Sequence, residues 1–123
     1  MDNLEGIFNR LRLLLSQYQP PLEPKRDEPG DYDLWSFKDL VIDGRKRKEV
    51  FFARLIIQKA YDGFCFMSVY AGPETKAHFK PELLTLLKGK SCFRITALNV
   101  QLDEQISDAL ARGFQSFRER AWI

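Results

Sequence analysis

The triplet Gly-Lys-Ser at residues 89–91 is the first candidate for chemistry, because a lysine followed by a hydroxyl binds nucleotide phosphates in many enzymes. A phosphate loop needs the full pattern G-x-x-x-x-G-K-[ST], with a strand before it and a helix after it. Here Leu84 replaces the first glycine, a helix-like apolar stretch precedes the triplet, and a strand-like stretch follows it. We therefore expect Gly89 to end a helix with a positive φ, with Lys88 and Lys90 beside the negative helix end.

Few side chains suit nucleophilic catalysis or a metal site. His78 is the only histidine, and no serine or cysteine and orienting acid stand at a matching spacing around it. Cys65 and Cys92 lie far apart within apolar runs, so the chain has no CxxC motif. We expect two reduced, buried thiols that pack as small apolar side chains. The sequence assigns no catalytic residue and no metal ligand.

The densest run of charge is basic and lies at the tip of a predicted hairpin. It consists of Arg45, Lys46, Arg47 and Lys48. One interpretation is a solvated tip whose charges discourage association between sheet edges. The other is a surface contact for an anion or a nucleic acid. No aromatic residue interrupts the run, which disfavours binding to a nucleic-acid single strand.

Acidic residues gather in a proline-rich stretch and just after it. They are Glu23, Asp27, Glu28, Asp31 and Asp33, diluted by Lys25 and Arg26. A solvated loop explains this composition, and the alternative is a set of oxygen ligands for a metal.

Amphipathic spacing predicts a helix at each end of the chain. Apolar residues recur at helical spacing within residues 3–18 and again within 102–117. Between the first helix and the sheet, the proline-rich segment 19–31 is expected to be an extended connector. Either Pro73 or Pro81 can open a middle helix.

Stretches rich in aromatic and β-branched residues predict the strands. They cover residues 34–42, 49–61, 64–71 and 91–97. Asp43-Gly44 and Asp62-Gly63 favour two-residue hairpin turns, so the first three strands should form an antiparallel meander. The sequence thus predicts a single α+β domain over residues 1–123. Its antiparallel sheet has about four to five strands, with N-terminal, middle and C-terminal helices.

The turns set a register that places apolar side chains on both faces of the sheet. In this register Trp35 lies opposite Phe52, and Ile56 lies opposite Val69. Arg54 is the polar exception on its face, where we expect it to orient an anionic group. The helices can cover one face and only part of the other, so a small ligand or a second copy of the chain should cover the remainder. The contact residues expected there are Trp35, Phe52, Arg54 and Met67.

Composition and charge narrow the class of protein. The 123 residues are 45% hydrophobic and 29% charged, which is typical of a globular chain. The formal net charge of +2 is too small to indicate a nucleic-acid or membrane partner. The N-terminal stretch is unlike a secretory signal, and no apolar run reaches the ~18 residues of a membrane span. A cytoplasmic protein is therefore expected.

A set of ordered segments carries a resemblance to a known family. DLWSFKD, RKEVFFARLIIQK, GFCFMSVY and KPELLTLLKGKSCFRI precede a C-terminal helix that ends in FRERAW. Over residues 31–123, and more loosely over the first helix, the chain resembles the YdhG-like family of small bacterial cytoplasmic domains of unknown function. Its most specific part is LLKGKSCFRI. The resemblance implies an α+β fold with an antiparallel sheet and flanking helices.

Some members of that family are described as iron chaperones similar to frataxin, which binds iron through an acidic ridge on its first helix and first strand. In this chain the first helix has Asp2 and Glu5 together with Arg10 and Arg12, and the resemblance assigns no metal ligand.

We expect a non-enzymatic binding or interaction domain that needs no cofactor. The alternative is a frataxin-like iron chaperone for iron–sulfur cluster assembly, with iron as its cargo. A third option is an enzyme for a small molecule, although the sequence shows no pair of acid and base groups.

Overall fold

A computed structural model describes residues 3–42, 44–67, 80–89 and 91–123. Within these residues the helices are α1 (Leu4–Ser16), α2 (Pro81–Leu84) and α3 (Val100–Glu119). The first strands are β1 (Asp27–Glu28), β2 (Asp31–Ser36), β3 (Leu40–Ile42) and β4 (Arg45–Arg47). The others are β5 (Val50–Ile57), β6 (Asp62–Phe66), β7 (Leu87–Lys88) and β8 (Cys92–Ile95). The predicted α+β class is confirmed.

Six of these strands form one antiparallel sheet in the order β1-β2-β5-β6-β8-β7, and β3 and β4 form a separate two-stranded hairpin. The main sheet is larger than the four to five strands predicted. The proline-rich connector contributes β1 to one edge, and the stretch before Gly89 contributes β7 to the other.

The helices α1 and α3 begin where asparagine side chains cap them. The side chain of Asn3 accepts a hydrogen bond from the Gly6 N–H at 2.5 Å, and that of Asn99 accepts one from the Leu102 N–H at 2.7 Å. Each bond satisfies a backbone donor that the first helical turn leaves free. Both predicted terminal helices are therefore present, with caps at their first turns.

Both long helices pack on the same face of the main sheet, here called the inner face. The core between them is aromatic and aliphatic: the rings of Phe52 and Phe117 meet at 5.1 Å, and Leu11 and Leu110 are fully buried. The opposite face, here called the outer face, carries Asp31, Arg54, Ile56, Cys65, Cys92 and Arg94. The outer face also carries Trp35 and Phe51, so it is mixed, and the prediction of two apolar faces holds there only in part.

The predicted turn at Asp62-Gly63 is wrong. The chain turns three residues earlier, at Lys59-Ala60, where the Gln58 N–H donates to the Tyr61 carbonyl at 2.8 Å, and Asp62 and Gly63 already belong to β6. Ile56 consequently pairs with Gly63 instead of Val69. An Asp-Gly pair favours a turn but does not require one, and here both residues form part of a buried strand.

The pairing of β2 with β5 follows the predicted register only up to Leu34. An irregularity between Leu34 and Trp35 then shifts the register, so Trp35 lies opposite Phe51 instead of Phe52. A bulge of this kind exchanges the faces of the residues beyond it. Phe52 is therefore fully buried on the inner face, and its assignment to the face of Arg54 is wrong.

The Gly-Lys-Ser region also differs from its prediction. Gly89 has a φ of +78°, as expected, but it follows β7 in a turn between two strands, and α2 ends at Leu84. Pro81 opens α2, as one of the two alternatives proposed. The predictions for Asp43, Val69, Pro73, His78 and Lys90 lie outside the described residues.

The expectation of two reduced thiols is also wrong, because the structure joins Cys65 to Cys92 in a disulfide. The physical reason is the pairing of β6 with β8, which places the two residues directly opposite each other with Cα atoms 4.0 Å apart.

Candidate binding site on a basic hairpin

The hairpin of β3 and β4 forms around Gly44, as its sequence predicts. Ile42 pairs with Arg45, so the loop between the strands has two residues, and Gly44 has a φ of +78°. Residues with a Cβ rarely adopt this backbone conformation, and glycine adopts it freely. Leu40 and Ile42 pack against the core and anchor the hairpin to the domain, whereas Val41 between them is 67% exposed.

The four predicted basic residues are all exposed along this hairpin: Arg45, Lys46, Arg47 and Lys48. Among the described residues none of these four side chains has an ion-pair or hydrogen-bond partner. The next acid along the chain, Glu49, is already bound by the Lys25 ammonium at 2.6 Å. Because no acidic group among the described residues pairs with them, these four side chains create a local positive potential on the hairpin. The small net charge of the whole chain does not indicate this potential.

A groove of about 460 Å³ lies at the base of the hairpin. Its lining consists of Asp39, Leu40, Val41, Lys46, Arg47 and Lys48. Cross-strand pairing sets Val41 directly opposite Lys46, so an apolar side chain and a cation stand side by side at the surface. Phe37, which is 46% exposed, adds apolar surface near the start of β3. The groove therefore offers cations and apolar contacts together, with one acid, Asp39, at its margin.

The second predicted site, on the outer face, is only partly assembled. Trp35 and Met67 are half-buried, and Phe52 lies on the opposite face. The Arg54 guanidinium donates to both carboxylate oxygens of Asp31, at 3.0 and 2.8 Å. These hydrogen bonds raise the pKa of Arg54 above its usual value. Arg54 thus has an internal partner, and its contact with an external anion stays a prediction.

The acids of the proline-rich stretch are largely engaged with the protein itself. Asp27 binds the Arg12 guanidinium through both oxygens, at 2.8 and 2.9 Å. Asp33 accepts hydrogen bonds from the backbone N–H groups of Lys25 and Arg26, at 2.8 and 2.9 Å. No group of three or more histidine, cysteine or acidic residues suited to a metal occurs within the described residues. These contacts give the acids structural roles at the edge of the sheet.

Sequence reasoning missed two features with chemical potential. One is the disulfide, which only the pairing of β6 with β8 reveals. The other is Asp62, a fully buried residue whose two carboxylate oxygens have no hydrogen-bond partner among the described residues. Burial raises the pKa of Asp62 to about 6. An Asp-Gly pair favours an exposed turn, so the sequence did not indicate that Asp62 is buried.

Comparisons with protein-family models, with curated proteins and with solved structures found no match to this chain. No helix in the described part of the chain is long and apolar enough to cross a membrane.

Proposed function

We propose that this protein is a non-enzymatic binding module whose basic hairpin, residues 40–48, holds an acidic and partly apolar segment of a partner protein. The observation that supports it is the groove in which the cations Lys46, Arg47 and Lys48 stand beside the exposed apolar side chain of Val41. Carboxylates of such a segment would pair with Lys46 and Lys48, beside which Val41 offers an apolar contact. Among the described residues β4 pairs only with β3, so an extended segment can add a strand along the other edge of β4.

An acidic peptide fits this groove better than a nucleic acid does. Base stacking needs aromatic side chains, and none lies within the hairpin. The carboxylate of Asp39 would repel phosphate and carboxylate groups alike, but it can accept hydrogen bonds from the backbone N–H groups that a peptide has and a sugar–phosphate backbone lacks. The net charge of +2 provides no broad positive field outside the hairpin.

No observation favours the iron chaperone over the binding module, because Asp27, Asp31 and Asp33 already have partners within the protein. Anaerobic calorimetry with ferrous ion distinguishes the two functions. We expect no saturable site. Saturable binding that disappears on joint replacement of Asp27, Glu28 and Asp31 would favour the iron chaperone.

The outer face stays a proposed contact for a second copy of the chain or for a small ligand. Trp35 supports this proposal, because its buried indole N–H has no acceptor among the described residues. Light scattering on the wild-type protein and on Trp35→Phe tests the dimer. A dimer that Trp35→Phe weakens would support a contact between two copies through the outer face. A strict monomer would exclude the dimer, and a small ligand would be the remaining proposal for this face.

A paired substitution tests the hairpin itself. The probe is a short synthetic peptide in which glutamate alternates with valine, titrated by fluorescence anisotropy. The double variant Lys46→Gln/Lys48→Gln should bind it roughly three- to tenfold more weakly than the wild-type protein, because two ion pairs are lost. The control Lys59→Gln/Lys80→Gln removes the same charge at two exposed lysines outside the groove and should bind normally.

Equal weakening in both variants would show that only net charge matters. A duplex DNA of similar length serves as the competing probe. If the hairpin bound DNA through four phosphates, the slope of log affinity against log salt would be about −3.6, and such binding would contradict the proposal.

A further inference from the structure

The disulfide between Cys65 and Cys92 lies on the outer face, away from both long helices. Each cysteine is only partly buried, so the sulfur atoms are not sealed within the core. The core side of the same strand pair is held independently, because Phe64 lies opposite Phe93 and their rings stack at 5.7 Å. The pairing of β6 with β8 therefore does not depend on the disulfide, and the reduced protein should keep its fold.

Two cations flank the disulfide in one row of side chains across the sheet. Arg54 on β5 lies directly opposite Cys65, and Lys88 on the edge strand β7 lies directly opposite Cys92. Directly opposite side chains in an antiparallel pair have Cβ atoms about 4.5–5.5 Å apart. Each sulfur thus has a cationic side chain as its lateral neighbour.

The two sulfur atoms differ in their surroundings. Arg54 is bound to Asp31 through two hydrogen bonds, which offset part of its charge. Lys88 is exposed and has no ion-pair partner among the described residues. The Ser91 hydroxyl lies 3.9 Å from the Cys92 sulfur, within reach of a hydrogen bond to it. A thiolate is therefore better stabilised at Cys92 than at Cys65, and Cys92 is the better leaving group.

We propose that Cys65 and Cys92 form a redox-active pair that exchanges electrons with dithiols, a site separate from the basic hairpin. A thiolate of the dithiol attacks the Cys65 sulfur, and a mixed disulfide forms as the bond to Cys92 breaks. The electron pair leaves on the Cys92 sulfur beside Lys88. The second thiol of the dithiol then attacks the mixed disulfide and releases Cys65. In total the protein gains two electrons and two protons, and the dithiol becomes a disulfide.

The location of the pair suits this exchange. Cys65 and Cys92 share the outer face with Gly63, which is itself buried beside Ile56 and Tyr61, so the dithiol approaches through the exposed part of the two cysteines. Partly exposed disulfides are the labile ones in proteins, whereas sealed ones serve as permanent crosslinks. The substrate class is a dithiol small enough, or extended enough, to reach the partly exposed cysteines on the outer face.

Reduction by dithiothreitol, without denaturant, tests the proposal. Timed alkylation and intact mass spectrometry follow the appearance of the two free thiols. Lys88→Gln should slow reduction roughly two- to fivefold, because the leaving thiolate loses a neighbouring cation. Lys88→Arg should restore the rate. The control Lys80→Gln removes an exposed lysine outside the cysteine row and should react as the wild-type protein does.

Circular dichroism of the reduced protein completes the test. Full reduction with an unchanged spectrum, together with reoxidation by a disulfide of the same class, supports a reversible pair. Three results would overturn it: reduction only after unfolding, a Lys88→Gln rate equal to that of the control, or free thiols in the protein kept under oxidising conditions.

Discussion

The buried carboxyl of Asp62 is expected to make the stability of the protein depend on pH. It begins β6, pairs with Ile57 and Ile95, and leaves both oxygens without a partner among the described residues. In the unfolded chain its pKa should be about 3.9, whereas burial raises the pKa of Asp62 to about 6 in the folded protein. Between these values the folded state binds more protons, so its stability falls as pH rises and the loss is complete above pH 6.

Asp62→Asn should therefore stabilise the protein at neutral pH and have little effect near pH 4. A pKa difference of two units corresponds to about 3 kcal/mol, which is the largest gain expected. Urea unfolding at both pH values measures it. Asp39→Asn makes the same chemical change at an exposed position and should alter stability by no more than about 0.5 kcal/mol. A loss of stability at neutral pH in Asp62→Asn would contradict the role of burial.

At the scale of elements, the two Asp-Gly pairs show what a local pattern can and cannot predict. The first forms the expected two-residue loop, because both flanking strands are short and leave the main sheet as a hairpin. The second lies within a strand, because the backbone already turns at Gln58–Tyr61 and continuing β6 buries Phe64 and Phe66. The pairing of strands that are distant in sequence therefore decides whether an Asp-Gly pair forms a turn.

Gly44→Ala should weaken peptide binding through the shape of the hairpin. The added Cβ would meet no atom within 4 Å, so the cost comes from the φ of +78° alone, about 1 kcal/mol. Gly89→Ala is the matched control, because its φ is also +78° and its Cβ would also meet open space. Both variants should lose similar stability, and only Gly44→Ala should bind the glutamate–valine peptide less tightly. Equal affinities of the two variants for the peptide would show that binding does not depend on the shape of the hairpin.

Phe51 and Phe52 test the bulge, which the sequence did not reveal. Phe52 is fully buried on the inner face, and Phe51 is half-buried beside Trp35 on the outer face. Phe52→Ala should cost about 3–5 kcal/mol in the free energy of unfolding, because it leaves a large cavity. Phe51→Ala should cost no more than about 2 kcal/mol. Denaturant unfolding of both variants measures the difference, and the reverse order would place the bulge elsewhere.

At the scale of the whole molecule, composition and periodicity were sufficient to predict the α+β class and both terminal helices. Helical spacing is a local property, and the capping residues Asn3 and Asn99 reinforce it. The faces of the sheet were not predictable, because a single bulge between Leu34 and Trp35 exchanges them. The disulfide was hidden for the same reason, since its two residues meet only through the register of β6 and β8. The basic run was visible in the sequence, but its groove depends on the way Leu40 and Ile42 anchor the hairpin.

The basic hairpin as a site for an acidic segment is tested most directly by mapping amide NMR shifts during titration with the glutamate–valine peptide. We expect the largest shift changes within residues 40–48, and no saturable change in the variant with glutamine at Arg45, Lys46, Arg47 and Lys48. A peptide with glutamine in place of glutamate should also fail to shift these residues. Saturable changes at the separate groove lined by Tyr18, Phe114 and Arg118, with residues 40–48 unmoved, would contradict the proposed function.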